Sequence, residues 1–220
     1  MEEPTQDQPA LWQMVMSPHA QFKKMKQYPV FALPLVTLCI FYLMGTWFAM
    51  LGVNFQGIEQ MEGISSKTVI TLTTAFTFLF AFIKPVLITV LLAAIYYVCG
   101  KVMRTQVSFQ HLVAMNTHIW IIAGIGVIIN GIITAFIGMD IDNVQQIHTS
   151  IASLIQSEGM MHVVLEKIDF FAIWVTALTA IGLSAVAGFS KRSAWVIAVS
   201  VFMLDEIVAI VWYNLTHIIG

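Results

Sequence analysis

Of 220 residues, 59% are hydrophobic and 10% charged, with a formal net charge of −2; a soluble domain carries about 25% charged residues, so this chain cannot cover itself with a water-facing surface. Its apolar residues come in blocks of about twenty or more, the length that spans ~30 Å of hydrocarbon at helical rise. The near-neutral charge excludes nucleic acid as a partner, because displacing phosphate counterions takes a basic stripe.

Residues 1–27 read as a cytoplasmic N-terminal tail, with Glu2, Glu3 and Asp7 arguing against a cleavable signal. Within it, Leu11, Trp12, Met14, Val15 and Met16 fit either a disordered stretch or an amphipathic one on the membrane surface. Residues 28–220 read as one all-α transmembrane domain, a polytopic bundle of about five helices. The first span is expected over 29–53, with Pro29 in its first turn and Pro34 one turn further in. The second apolar block, 68–103, would be about 54 Å long as a helix, too long for one untilted crossing. Pro85 is expected to divide it, with 69–99 making the crossing. Three more spans are expected at 112–138, 170–189 and 194–218, the last two joined by a tight turn.

Orientation follows from the cations, which are held in the cytoplasm during insertion. Lys23, Lys24, Lys26, Lys101, Arg104, Lys191 and Arg192 fall on one side of a five-span arrangement, against Lys67 and Lys167 on the other. The N-terminus is therefore expected inside and the C-terminus outside. Glu59, Glu62, Asp140, Asp142, Glu158, Glu166 and Asp169 fall in the outer loops. No internal repeat is visible, the helices read as uninterrupted, and an odd number of spans does not divide into inverted halves, which weakens a secondary-transporter architecture.

Polar groups within the spans carry the functional alternatives. An ionisable group at mid-bilayer costs at least ~2.5–3.5 kcal/mol and calls for a partner or a cavity. Lys84 in the second span can pair with Asp205 or Glu206 in the fifth, either as a register-fixing ion pair or as part of a proton or ion path. Asn116, His118 and Asn130 in the third span suit hydrogen bonding between helices, and Gly124, Gly126 and Gly131 suit close packing there. Ala180, Ser184 and Gly188 recur every four residues, a small-residue face for a neighbouring helix or a partner subunit. Cys39 and Cys99 have no metal-ligand spacing and read as packing residues. His118 and His217 fall toward opposite membrane faces and H-E-x-x-H is absent, so no metal site or cofactor is expected. No acid, base and nucleophile converge, so no enzyme is expected either.

Several short stretches resemble the Yip1 family of five-span membrane proteins, in its bacterial branch. They are Ile83 to Pro85, Ser108-Phe109-Gln110, Lys167-Ile168-Asp169-Phe170-Phe171-Ala172-Ile173-Trp174, Ile181-Gly182-Leu183 and Ser190-Lys191, within a match over about residues 20–218. Eukaryotic members act in vesicle traffic with small GTPases through an acidic Asp-Leu-Tyr-Gly-Pro type motif, which this tail lacks, so GTPase binding does not carry over. The bacterial resemblance implies a non-enzymatic accessory or assembly subunit of the plasma membrane. It would accompany the permease and adaptor of a MacB-like ABC exporter in resistance to a toxic peptide. The alternative is a small permease or an ion- or proton-coupled channel using Lys84, Asp205 and Glu206. A homo-oligomer is compatible with either.

Overall fold

The computed structural model describes residues 9–55, 65–140, 147–155 and 157–219. The expectations placed on Glu2, Glu3, Asp7, Glu59, Glu62 and Asp142 lie outside these residues, as do those on the side chains of Asp140 and His217. The molecule is an all-α bundle. Two short helices, α1 (Gln13–Met16) and α2 (Pro18–Gln27), precede α3 (Ala32–Gly52), α4 (Ser66–Val102) and α5 (Phe109–Ile137). Then follow α6 (Gly159–Lys167), α7 (Phe170–Ala185) and α8 (Lys191–Ile219). Four of these, α3, α4, α5 and α8, are long and apolar enough to cross a membrane.

The first helix starts three residues later than expected. Tyr28, Pro29, Val30 and Phe31 stay outside it, and Pro34 takes the first-turn place where its missing N–H costs no hydrogen bond. Pro85 does not divide the second block: α4 runs unbroken through it for 37 residues, about 55 Å. Proline leaves the carbonyl four residues back without a donor, and Thr89 adds local bonding by donating its hydroxyl to the carbonyls of Pro85 (2.7 Å) and Val86 (3.0 Å).

Helices α3 and α5 run parallel and end side by side, where the two-residue strands β1 (Val53–Asn54) and β2 (Met139–Asp140) pair in parallel. Glycine makes that contact possible. A side chain on Gly131 would run into the backbone of Gly45, and one on Gly52 into that of Thr134.

Residues 9–27 are not a surface-lying or loose tail. Phe22, Met25 and Met14 are fully buried in the same core as Tyr96, Leu112, Met115, Ile119 and Leu183. A Cβ on Gly182 would touch both Phe22 and Met115, at 3.0 and 2.9 Å. The carbonyl of Lys26 meets His111 Nε2 at the start of α5 (3.2 Å). Gly100 lies near the ring of Phe189, so α2, the α4–α5 loop and the α7–α8 turn share one end of the bundle. All seven cations assigned above to one side belong to this basic end.

The fourth expected span is shorter than 170–189. Helix α7 has 16 residues, about 24 Å, less than the ~30 Å of hydrocarbon. It stops at Ala185, and beyond it Gly188 takes φ +72° while the N–H of Phe189 reaches back to the carbonyl of Leu183 (3.2 Å), folding the chain back over the end of the helix. Ser190 then accepts from the N–H of Ser193 (3.1 Å) and caps α8. Beyond the other end of α7, α6 packs on α8, with Lys167 against Asp205 and Gly159 beside Tyr213. Together α6 and α7 descend along α8, interrupted at Ile168–Asp169. The expected span at 170–189 is thus a shorter continuous helix, and α6, expected in the outer loop, lies in series with it along α8.

Candidate functional site

The break between α6 and α7 brings charged side chains together beside α8. Asp169 caps α7 by accepting from the N–H groups of Phe171 (2.6 Å) and Ala172 (3.1 Å). Just before it, Lys167 meets Asp205 of α8 at 3.4 Å. Counted by helical rise, Asp205 stands about 21 Å along α8 from the basic end, and Lys84 about 27 Å along α4. Both therefore belong to one layer near mid-bundle.

Within this layer the pairing differs from the simplest expectation. Asp205 is 67% exposed and takes Lys167 as its partner; the sequence placed Lys167 in an outer loop, so nothing in its spacing marked it for this role. Lys84 has Lys167 and Asp205 as electrostatic neighbours, but no carboxylate among the described residues reaches ion-pair distance of it. Its side chain is exposed on the flank of α4, in an apolar groove of about 250 Å³ with Phe80, Leu87, Ile88 and Leu91. Glu206, next to Asp205, points the other way: it is 7% exposed, and both carboxylate oxygens lack a hydrogen-bond partner among the described residues.

The polar residues of α5 divide into two tasks. Asn116 donates to the carbonyl of Thr89 (3.1 Å) and ties α5 to α4. His118 turns Nδ1 to the carbonyl of Ala114 in its own helix (2.8 Å), while its buried Nε2 has no partner among the described residues. Asn130 is a clamp for the loop before α6. It donates to Thr149 Oγ1 (2.9 Å) and accepts from the Thr149 N–H (3.1 Å). Nearby, His148 Nε2 meets Thr134 Oγ1 (3.1 Å), and Glu166 accepts from the N–H of Ile147 (3.1 Å). Partial burial of the His148 imidazole holds its pKa below the ordinary histidine range.

The small-residue face is incomplete as expected from spacing. Ala180 is buried inside the chain's own bundle and Ser184 is half-buried, but Gly188 lies beyond the end of α7 and is not on its face. Among the described residues no cluster of three or more His, Cys, Asp or Glu side chains is arranged to hold a metal ion.

The Yip1 domain model matches residues 12–213, from α1 to the far part of α8. The chain is 27% identical over 202 residues to a protein named Membrane protein YknW from Bacillus subtilis (strain 168), covering 89% of this chain and 86% of that one. No solved structure matches. With four long apolar helices, a shorter apolar one, and a family match running across nearly all of them, this chain is a multi-pass membrane protein that belongs to the Yip1 domain family.

Proposed function

We propose that the chain is a non-enzymatic accessory or assembly subunit of the plasma membrane, its basic end in the cytoplasm, seated against the permease and adaptor of an ABC-type exporter that confers resistance to a toxic peptide. The kinship with YknW supports a membrane role. The observation that carries a partner is Lys84. It stands exposed on the apolar flank of a spanning helix, without an ion-pair partner among the described residues. Such a charge costs about 2.5–3.5 kcal/mol in hydrocarbon, which a carboxylate on a neighbouring subunit's helix would offset. The test is affinity purification from native membranes in mild detergent, with companions identified by mass spectrometry, for the wild type and Lys84→Met. The expected result is a stoichiometric permease and adaptor with the wild type and their loss with the variant at equal membrane yield. Recovery of the chain alone, or only as a homo-oligomer, sinks the reading.

A second reading, a small permease or an ion- or proton-coupled channel through Lys84, Asp205 and Glu206, is favoured by the break between α6 and α7, where Lys167 meets Asp205. Irregular backbone at membrane depth is tolerated where it is buried in protein or lines a cavity. In reconstituted vesicles, Asp205→Asn with Glu206→Gln would then abolish flux while leaving the protein folded.

A further inference from the structure

At the basic end, α2, α7 and α8 enclose a groove of about 400 Å³ lined by His19, Ala180, Ile181, Ser184, Ala185, Lys191 and Trp195. Its two ends differ chemically. Toward the bundle interior the wall is apolar, apart from the Ser184 hydroxyl. At the rim stand Lys191 and His19, both exposed, with exposed Arg192 following Lys191, and Trp195, 48% exposed, beside them. Tryptophan in this position suits the headgroup boundary, because its ring is apolar and its N–H polar.

The helix stretches that build this end are rich in cations and lack acidic residues. Asp and Glu are absent from residues 8–58, 68–139 and 170–204, whereas Lys23, Lys26, Lys101, Arg104, Lys191 and Arg192 fall here. A free anion would use only the rim. An occupant with one anionic head and an apolar tail satisfies both rim and wall, and basic pockets between spanning helices on the cytoplasmic side suit anionic lipid headgroups.

We infer that this groove is a binding site for an anionic phospholipid, its phosphate held by Lys191 and His19 and an acyl chain laid along Ile181, Ser184 and Ala185. The lipid bridges α2 to α8 and so ties the N-terminal helices to the crossing that follows them.

The experiment uses the purified full chain in detergent, with thermal unfolding and native mass spectrometry after adding phosphatidylglycerol, phosphatidylcholine or inorganic phosphate. Phosphatidylglycerol is expected to raise the midpoint and to remain bound at one molecule per chain, with neither effect from the other two additions. Lys191→Gln should bind it about fivefold more weakly, the loss expected for one cation near an anionic lipid. Lys101→Gln, outside the groove, should bind as the wild type does. Ala185→Trp, which fills the wall and leaves every charge, should also lose the bound lipid. An equal response to phosphatidylcholine, an equal loss in Lys101→Gln, or a response to inorganic phosphate alone would overturn the proposal. So would a co-purifying protein that shields Trp195 while Lys191→Gln leaves lipid binding unchanged.

Discussion

Glu206 and Asp205 are neighbours in sequence with opposite environments, and their variants should separate accordingly. A buried polar group without a partner costs about 1–3 kcal/mol, so Glu206→Met is expected to raise the midpoint of thermal unfolding in detergent; a lower midpoint would mean that the carboxylate has a structural partner. Asp205→Asn should lower the midpoint, since it leaves Lys167 without its carboxylate in the membrane layer that also holds Lys84. His148 offers a pH test. Its folded-state pKa lies below its unfolded one, so the unfolded chain takes up the proton first as pH falls. The stability it contributes is complete above the ordinary histidine range and is lost as pH drops through the folded value. Unfolding midpoints measured from pH 8 to 5 should fall less steeply for His148→Gln than for the wild type. The residue types of this layer were legible in the sequence, since Lys84, Asp205 and Glu206 are conspicuous against apolar spans. Their pairing was not, because Lys167 joins at the break between α6 and α7, which no local spacing encodes.

At the level of elements, α3 and α5 hold together by backbone approach. Gly131→Val should cost about 1–3 kcal/mol or more by overpacking, read as a lower unfolding midpoint and a smaller monodisperse fraction in gel filtration, because the opposing atoms belong to the backbone of Gly45 and cannot rotate aside. The same substitution at Gly138, where a Cβ meets little but φ is +78°, would act through strain in the turn. Helix α7 depends on its cap: Asp169→Ala is expected to cost about 0.5–2 kcal/mol, measured by thermal unfolding, and Asp169→Asn to restore most of it. Spacing every four residues put Gly188 on the face of Ala180 and Ser184. A helical count holds only while the helix lasts, and α7 ends at Ala185, before the turn at Gly188.

For the whole molecule, the N-terminal segment decides how closed the basic end is. Phe22→Ala should cost about 3–5 kcal/mol, a core loss detectable by thermal unfolding. A surface-lying helix would instead lose little, because its aromatic residue would face lipid in either case. In the extended N-terminal half of α4, Leu72, Phe76, Leu79 and Phe80 are exposed on one flank of the bundle, which exposed Lys84 continues.

The all-α membrane-spanning class, the rough positions of the long helices and the gathering of cations at one end followed from the sequence alone. Hydrocarbon forces backbone hydrogen bonds inside each segment, and length with composition then identifies the segments. The tertiary structure alone decided that residues 9–27 enter the core, that α4 continues through Pro85, and that α6 lies in series with α7 along α8, with the break at Asp169. Each of those outcomes rests on contacts between residues far apart in sequence, Phe22 with Gly182 and Lys167 with Asp205 among them, and apolar composition is the same whether a helix meets lipid or another helix.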